Sequence, residues 1–176
     1  MDEKLWSQRL AAYKLPRNGR ALWELTATVV PYVAGLASKY FALQVGVWLT
    51  LLLSLPTGAM LVRLFTIQHD CGHYAIFTSR RANDWLGRVL GVFTYTPFDD
   101  WRREHALHHA GSGNLDRRGF GDIDTLTVRE YQARSSFGKW KYWLYRHPVV
   151  LFAIGPAYQF LLRQRLPTGE LKTSMP

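Results

Sequence analysis

The most constraining feature of this chain is the stretch YFALQVGVWLTLLLSLPTGAMLV, residues 40–62, which runs for 23 positions without a charged residue or a histidine. About 20 helical residues cross the hydrocarbon core of a bilayer, so this run predicts a transmembrane helix. As a soluble core helix it would have to bury an apolar belt on every side, which a 176-residue protein has little room to do. Pro56 and Gly58 lie inside the run, where a helix in lipid tolerates them better than a soluble one. Composition agrees: 48% of the residues are hydrophobic, yet mean hydropathy is −0.13, so the apolar residues are bunched between polar segments.

Two further stretches are candidates for spans. LTATVVPYVAGLA, residues 25–37, becomes long enough only if extended back through Glu24 to Ala21. VVLFAIGPAYQFLL, residues 149–162, is marginal in length and needs the aromatic residues from Trp143 to Tyr145 as interfacial support. Charge placement orients them. Lys4, Arg9, Lys14, Arg17 and Arg20 precede the first candidate, thirteen Lys and Arg lie from Arg63 to Arg146, and the connection between the first two spans carries only Lys39. A hairpin would put the amino terminus and the histidine-rich segment on one side, which the positive-inside rule makes cytoplasmic. The net charge of +9 is accounted for by these flanks and requires no nucleic-acid partner.

The expected fold is all-α and integral to the membrane. One domain over residues 1–176 would comprise a transmembrane hairpin at 21–64, a cytoplasmic histidine-bearing segment at 65–146 and the start of a second hairpin at 147–162. Within the middle segment, WLGRVLGVFTYTPF, residues 85–98, reads as an interfacial or re-entrant helix closed by Pro97. DDWRREHALHHAG reads as a helix with Asp99 or Asp100 at its N-cap and Gly111 near its end, and GSGNLDRRGFGDID as a loop. The first twenty residues lack the apolar core of a signal peptide, and the single cysteine, Cys71, excludes an intrachain disulfide.

Five of the six histidines fall in two short clusters, HDCGH at 69–73 and HALHH at 105–109. Residues three and four apart share a helical face, so His69 and His73 point the same way and His105 faces both His108 and His109. Neutral imidazole is the commonest side-chain metal ligand near pH 7, and it suits Zn, Cu, Fe and Ni alike. A lone pair could be two surface or capping histidines, whereas a pair plus a triplet points to metal. Five imidazoles exceed the needs of one tetrahedral ion and favour a two-metal site or one completed by further ligands. Cys71 falls off the face shared by His69 and His73 and reads as packing. The first cluster lies a few residues beyond the apolar run, at the cytoplasmic edge of the bilayer, where a site could act on a lipid acyl chain.

These motifs resemble the membrane fatty acid desaturases, in particular the bacterial acyl-lipid branch with Δ12-type enzymes. HDCGH is similar to that family's first histidine box, His-x-x-x-His, and HALHH to its second, His-x-x-His-His. The text around them, residues 21–32, 101–131 and 145–167, looks similar as well. The resemblance implies a non-haem di-iron centre that activates O2 and removes two hydrogens from an unactivated acyl chain, leaving a cis double bond. It implies His69 and His73 as ligands from the first box and His105, His108 and His109 from the second, with Asp70 orienting a ligand from outside the metal's own set. The substrate would be a membrane lipid or an acyl thioester, and electrons would come from a ferredoxin or cytochrome b5-like donor. Asp122 and Asp124 read as residues of a solvated loop.

The family has a third box, His-x-x-His-His, beyond a second hairpin. Here His147 is the only other histidine, in RHP, and it reads as a polar residue where a helix enters the membrane. Arg163, Arg165 and Lys172 after the last apolar stretch also run against the positive-inside trend. The expectation is therefore an incomplete desaturase domain, inactive by itself. The alternatives are a non-catalytic metal-binding membrane fragment or pseudoenzyme, a related di-iron hydroxylase, and, given histidines beyond rather than within the span, least of all a metal transporter.

Overall fold

The computed structural model describes residue 6 and residues 9–11, 13, 15–118 and 123–165. Among the described residues every regular element is helical, as the all-α expectation requires. In chain order they are α1 (Asn18–Ala42), α2 (Val47–Gly72), α3 (Arg80–Phe93), α4 (Phe98–Gly111), α5 (Val128–Ala133), α6 (Ser136–Arg146) and α7 (Gly155–Leu161). Short 3-10 turns lie at Leu115–Arg117 and Arg163–Arg165, and a π turn at Val150–Ile154. The chain divides into two compact units, Met1–Thr94 and Tyr95–Pro176.

In the first unit α1 and α2 form a hairpin, and α3 packs back on α2. Gly35 is what lets α1 approach: a Cβ built there would stand 2.5 Å from the Thr57 hydroxyl oxygen. That hydroxyl donates to the Leu53 carbonyl at 2.7 Å, and Thr28, Ser54 and Thr66 make the same bond to the carbonyl four residues back. Hydroxyls satisfied within their own helix add little polar cost to a helix away from water. α2 is the one described helix long and apolar enough to cross a membrane, with mean hydropathy 1.6 and only 11% of its apolar window buried. α1, at 25 residues, has the length but not the apolarity. It carries Arg20, Glu24 and Lys39, and Arg20 spends its charge on an i, i+4 pair with Glu24 at 2.7 Å.

Two boundaries differ from the sequence reading. The stretch 85–98 is not one helix: α3 begins earlier, with the Ser79 hydroxyl accepting from the Ala82 amide, and ends before Thr94, while α4 begins at Phe98. Tyr95 between them takes a left-handed φ of 58°, which interrupts the helical path. The N-cap of α4 is Pro97, φ −57°, rather than Asp99 or Asp100. The proline ring fixes φ two residues before the first of the acids, which instead occupy the first turn, favourable to carboxylates, and pair with Arg102 and Arg103.

In the second unit, α4 is followed over residues 112–118 by the first part of the expected loop, which contains the 3-10 turn capped by the Asn114 side chain, while residues 119–122 of that loop lie outside the described residues. The extended segment 123–127 is held by two tyrosine hydroxyls of α6: Tyr145 accepts from the Asp124 amide at 3.1 Å, and Tyr142 from the Leu126 amide at 3.3 Å. Thr127 and Glu130 form a reciprocal capping box on α5, and Arg118 grips the Glu130 carboxylate and the Thr125 carbonyl. Thr127 and Arg118 together hold the Glu130 carboxyl down at about 2, Arg118 contributing most. The last apolar stretch is helical from Val150 to Leu161. Twelve residues rise no more than about 18 Å, well short of the roughly 30 Å hydrocarbon core.

Candidate metal centre

His69 sits in the last turn of α2 and His73 is its C-cap. Their rings lie 4.7 Å apart between centroids, on the shared face that their spacing predicts. The His69 Nδ1 lies 3.1 Å from the Asp70 carboxylate. With that nitrogen donating to Asp70, the Nε2 lone pair is the one left to face a metal. Cys71 is fully buried, in keeping with a packing role.

The turn that presents this pair is held from several sides. After His73 the helix closes in a Schellman motif: the Tyr74 amide donates to the Cys71 carbonyl at 3.0 Å and the Ala75 amide to Asp70 at 2.9 Å. Tyr74 occupies the left-handed position with φ 56°, where glycine is usual. One residue before the box, the fully buried Gln68 accepts a hydrogen bond from the Thr94 hydroxyl, tying the end of α2 to the end of α3. Beyond the box, the buried amide of Asn83 bonds the Phe77 amide at 3.1 Å, the Phe77 carbonyl at 2.7 Å and the Ser79 carbonyl at 2.8 Å. Asn18 at the start of α1 accepts from the Thr78 amide and hydroxyl at 3.2 and 3.3 Å. No local pattern in the sequence marks Gln68, Asn83 or Asn18 for these roles. Only Ser79, a helix-cap residue type followed by RRAND, gave a local hint that a helix starts there.

The second group lies on α4. The Nε2 atoms of His105 and His109 are 3.0 Å apart, their rings meeting edge to face at 4.4 Å. His108 lies beside both, at 6.0 Å from His105 and 5.7 Å from His109 between ring centroids, and its Nδ1 is buried. Trp101, one turn earlier and also buried, stacks on His105 at 4.6 Å with an interplanar angle of 15°. This aromatic support is an i, i+4 relation visible in WRREH, though nothing in the spacing alone separates it from ordinary packing.

The donor sets suit a metal ion. Within each pair, His69 with His73 and His105 with His109, the ligand nitrogens lie within 4.8 Å of each other. Two nitrogens bound at about 2.1 Å to one ion and set at right angles would stand about 3 Å apart, close to the His105–His109 separation. Among the remaining sequence candidates, Asp124 is exposed, His147 caps α6 with its Nδ1 3.3 Å from the Val149 amide, and Asp122 lies outside the described residues.

Comparison with known proteins places the chain. The fatty acid desaturase family matches residues 46–174. A fatty acid desaturase of Bacillus subtilis (strain 168) is 40% identical over 163 residues, covering 93% of this chain and 46% of that protein. An sn-1 acyl-lipid omega-3 desaturase (ferredoxin) of Nostoc sp. (strain 36) is 28% identical over 103 residues, or 58% of this chain and 29% of its own length. An endoplasmic-reticulum omega-3 fatty acid desaturase of Vigna radiata is 28% identical over 113 residues, 64% of this chain and 28% of its own length. The chain thus spans less than half the length of these relatives, and no solved structure matches it significantly. Both histidine groups lie inside the matched family region, and the chain belongs to the fatty acid desaturase family.

Proposed function

We propose that this chain carries two of the histidine groups of a membrane desaturase that uses O2 to place a cis double bond in an acyl chain, with His69, His73, His105, His108 and His109 as iron ligands. The observation that carries the reading is the pairing of ring nitrogens within each group, in a chain of this family. Iron held there would supply the oxygen activation and one-electron chemistry that removing two hydrogens from an unactivated chain demands. The protein's own residues orient and hold. Asp70 accepts a hydrogen bond from the Nδ1–H of His69 and leaves Nε2 for the ion, Trp101 fixes the plane of His105, and the Gln68–Thr94 bond sets the rotation of the last turn of α2.

In this reading residues 21–64 are a membrane hairpin, 65–146 the cytoplasmic histidine-bearing segment and 147–162 the beginning of a second hairpin. The substrate is an acyl lipid or acyl thioester, presented at the cytoplasmic edge of α2. A ferredoxin or cytochrome b5-like protein is the electron donor; the name of the Nostoc relative, which specifies ferredoxin, supports the first. The acyl-lipid, Δ12-type branch is the assignment within the family.

Five imidazoles do not saturate two ions, so the 176-residue chain by itself is expected to leave the lipids of a desaturase-deficient host unchanged. Metal analysis of detergent-purified protein tests the ligand set. Bound iron that disappears in His69→Ala and His105→Ala supports it; iron retained in both variants, or new double bonds made by the chain alone, overturns the corresponding part.

A further inference from the structure

We propose that α6 is a membrane-surface helix whose Phe137–Trp140–Leu144 face docks on an anionic lipid surface, independently of any metal. Tyr142 and Tyr145 point their hydroxyls at the protein's own 123–127 segment, so one side of the helix is already committed. At 100° per residue, Phe137, Trp140 and Leu144 lie on the side opposite Tyr142, with Trp143 beside them. That side is uncovered: Phe137 is 71% exposed, Trp140 53%, Trp143 57% and Leu144 40%. Phe137 and Trp140 stack on each other at 5.8 Å, making one continuous apolar surface rather than isolated side chains.

Charge selects the occupant. From Tyr131 to Val149 there is no Asp or Glu, whereas Arg134, Lys139, Lys141 and Arg146 are all cationic. Arg134 and Lys139 lie over the rings of Tyr142 and Tyr131, each at 5.9 Å, on the side away from the apolar face, and the exposed Lys141, about 40° round the helix from Phe137, is the cation that borders that face. An aromatic face bordered by Lys141, on a helix that carries cations and no acid, matches the headgroup region of an anionic leaflet, where Trp partitions and where such helices lie about 5–10 Å into the boundary. Continuity points the same way, because the chain runs from α6 directly into the apolar Val150–Leu161 stretch.

The test uses the full chain reconstituted into vesicles of phosphatidylcholine with or without phosphatidylglycerol. The native thiol of Cys71 is buried, so a nitroxide attached at Trp140→Cys, or separately at Phe137→Cys, reports that position alone. Asp116→Cys, exposed outside the proposed surface, is the aqueous reference. Collision with oxygen should exceed collision with a water-soluble nickel chelate at positions 137 and 140 and fall below it at 116. Removing phosphatidylglycerol, or raising salt, should lower the ratio at 137 and 140 by about twofold or more. Ratios at 137 and 140 equal to that at 116 would overturn the proposal. So would exclusion of both reagents, the signature of a covering protein surface or second copy, and so would a ratio indifferent to lipid charge.

Discussion

The two histidine groups use the same spacing but are supported by different physics. His69 and His73 close a 26-residue apolar helix, and their turn is fixed by buried polar groups: Gln68 to Thr94, Asn83 to three backbone atoms, and a Schellman closure through Tyr74. His105, His108 and His109 lie on a 14-residue helix whose acids sit in the first turn, and their support is aromatic, with Trp101 stacked on His105. The first group is held through hydrogen bonds that fail abruptly when one partner is lost. The second is held through ring contacts that degrade gradually. The difference predicts that variants near each group will fail in distinguishable ways.

The largest effect is expected from the proposed ligands. His69→Ala and His105→Ala should each weaken iron binding by about a hundredfold or more, measured by metal competition in detergent, because each removes an imidazole outright. An effect confined to one group would show that the two do not serve a common function. Next, Asn83→Leu leaves the Phe77 amide and the Phe77 and Ser79 carbonyls without their partner in a buried site. A loss of about 3 kcal/mol is expected in thermal or denaturant unfolding, whereas Trp101→Leu should cost less stability. Comparable losses for the two variants would erase the distinction between hydrogen-bonded and aromatic support.

Smaller, about tenfold, is the expected fall in metal affinity for Asp70→Asn, which weakens the orientation of His69 without removing a ligand. Trp101→Phe, which keeps a stacking ring, should preserve affinity better than Trp101→Leu; equal losses would argue against ring orientation as its role.

The smallest effect concerns pH and the second unit alone. Arg118 and Thr127 hold the Glu130 carboxyl at about 2, below its ordinary value of 4.5. A group depressed in the folded state stabilises it fully above its unfolded pKa. That contribution is therefore present at neutral pH and is lost as pH falls from about 4.5 toward 2. Glu130→Gln should flatten this part of the acid-unfolding curve while leaving unfolding above pH 6 nearly parallel to the wild type; an unchanged acid limb would show that the carboxylate contributes nothing there.

Legibility in the sequence follows the range of the forces involved. The α2 run is apparent because apolarity accumulates along a contiguous stretch, and the shared faces of the histidines because helical periodicity is local. The N-cap of α4 lies two or three residues before the aspartates that the sequence suggests, because Pro97 and the two aspartates offer competing local signals and the proline's fixed φ prevails. Gln68, Thr94 and Asn83 carried no signal, since an amide looks the same in sequence whether it faces water or closes a buried turn. Tyr74 ran against the local rule: a bulky residue holds a left-handed φ because the helix closure around it requires one.

The Schellman closure makes α2 a ruler. Its 26 residues rise about 39 Å, so in the proposed membrane placement, with about 30 Å within the hydrocarbon core, the remainder would fix the height of the last turn above it. At Tyr74 the chain abandons the helical axis, so residues added after the turn would leave the His69–His73 pair where it is. A residue added between Arg63 and Gln68 would raise the pair by about 1.5 Å and swing it by about 100°, out of line with whatever it faces. Height and bearing of the His69–His73 pair are thus written into the count of residues in one helix, and a single insertion there would misalign it with every histidine left intact.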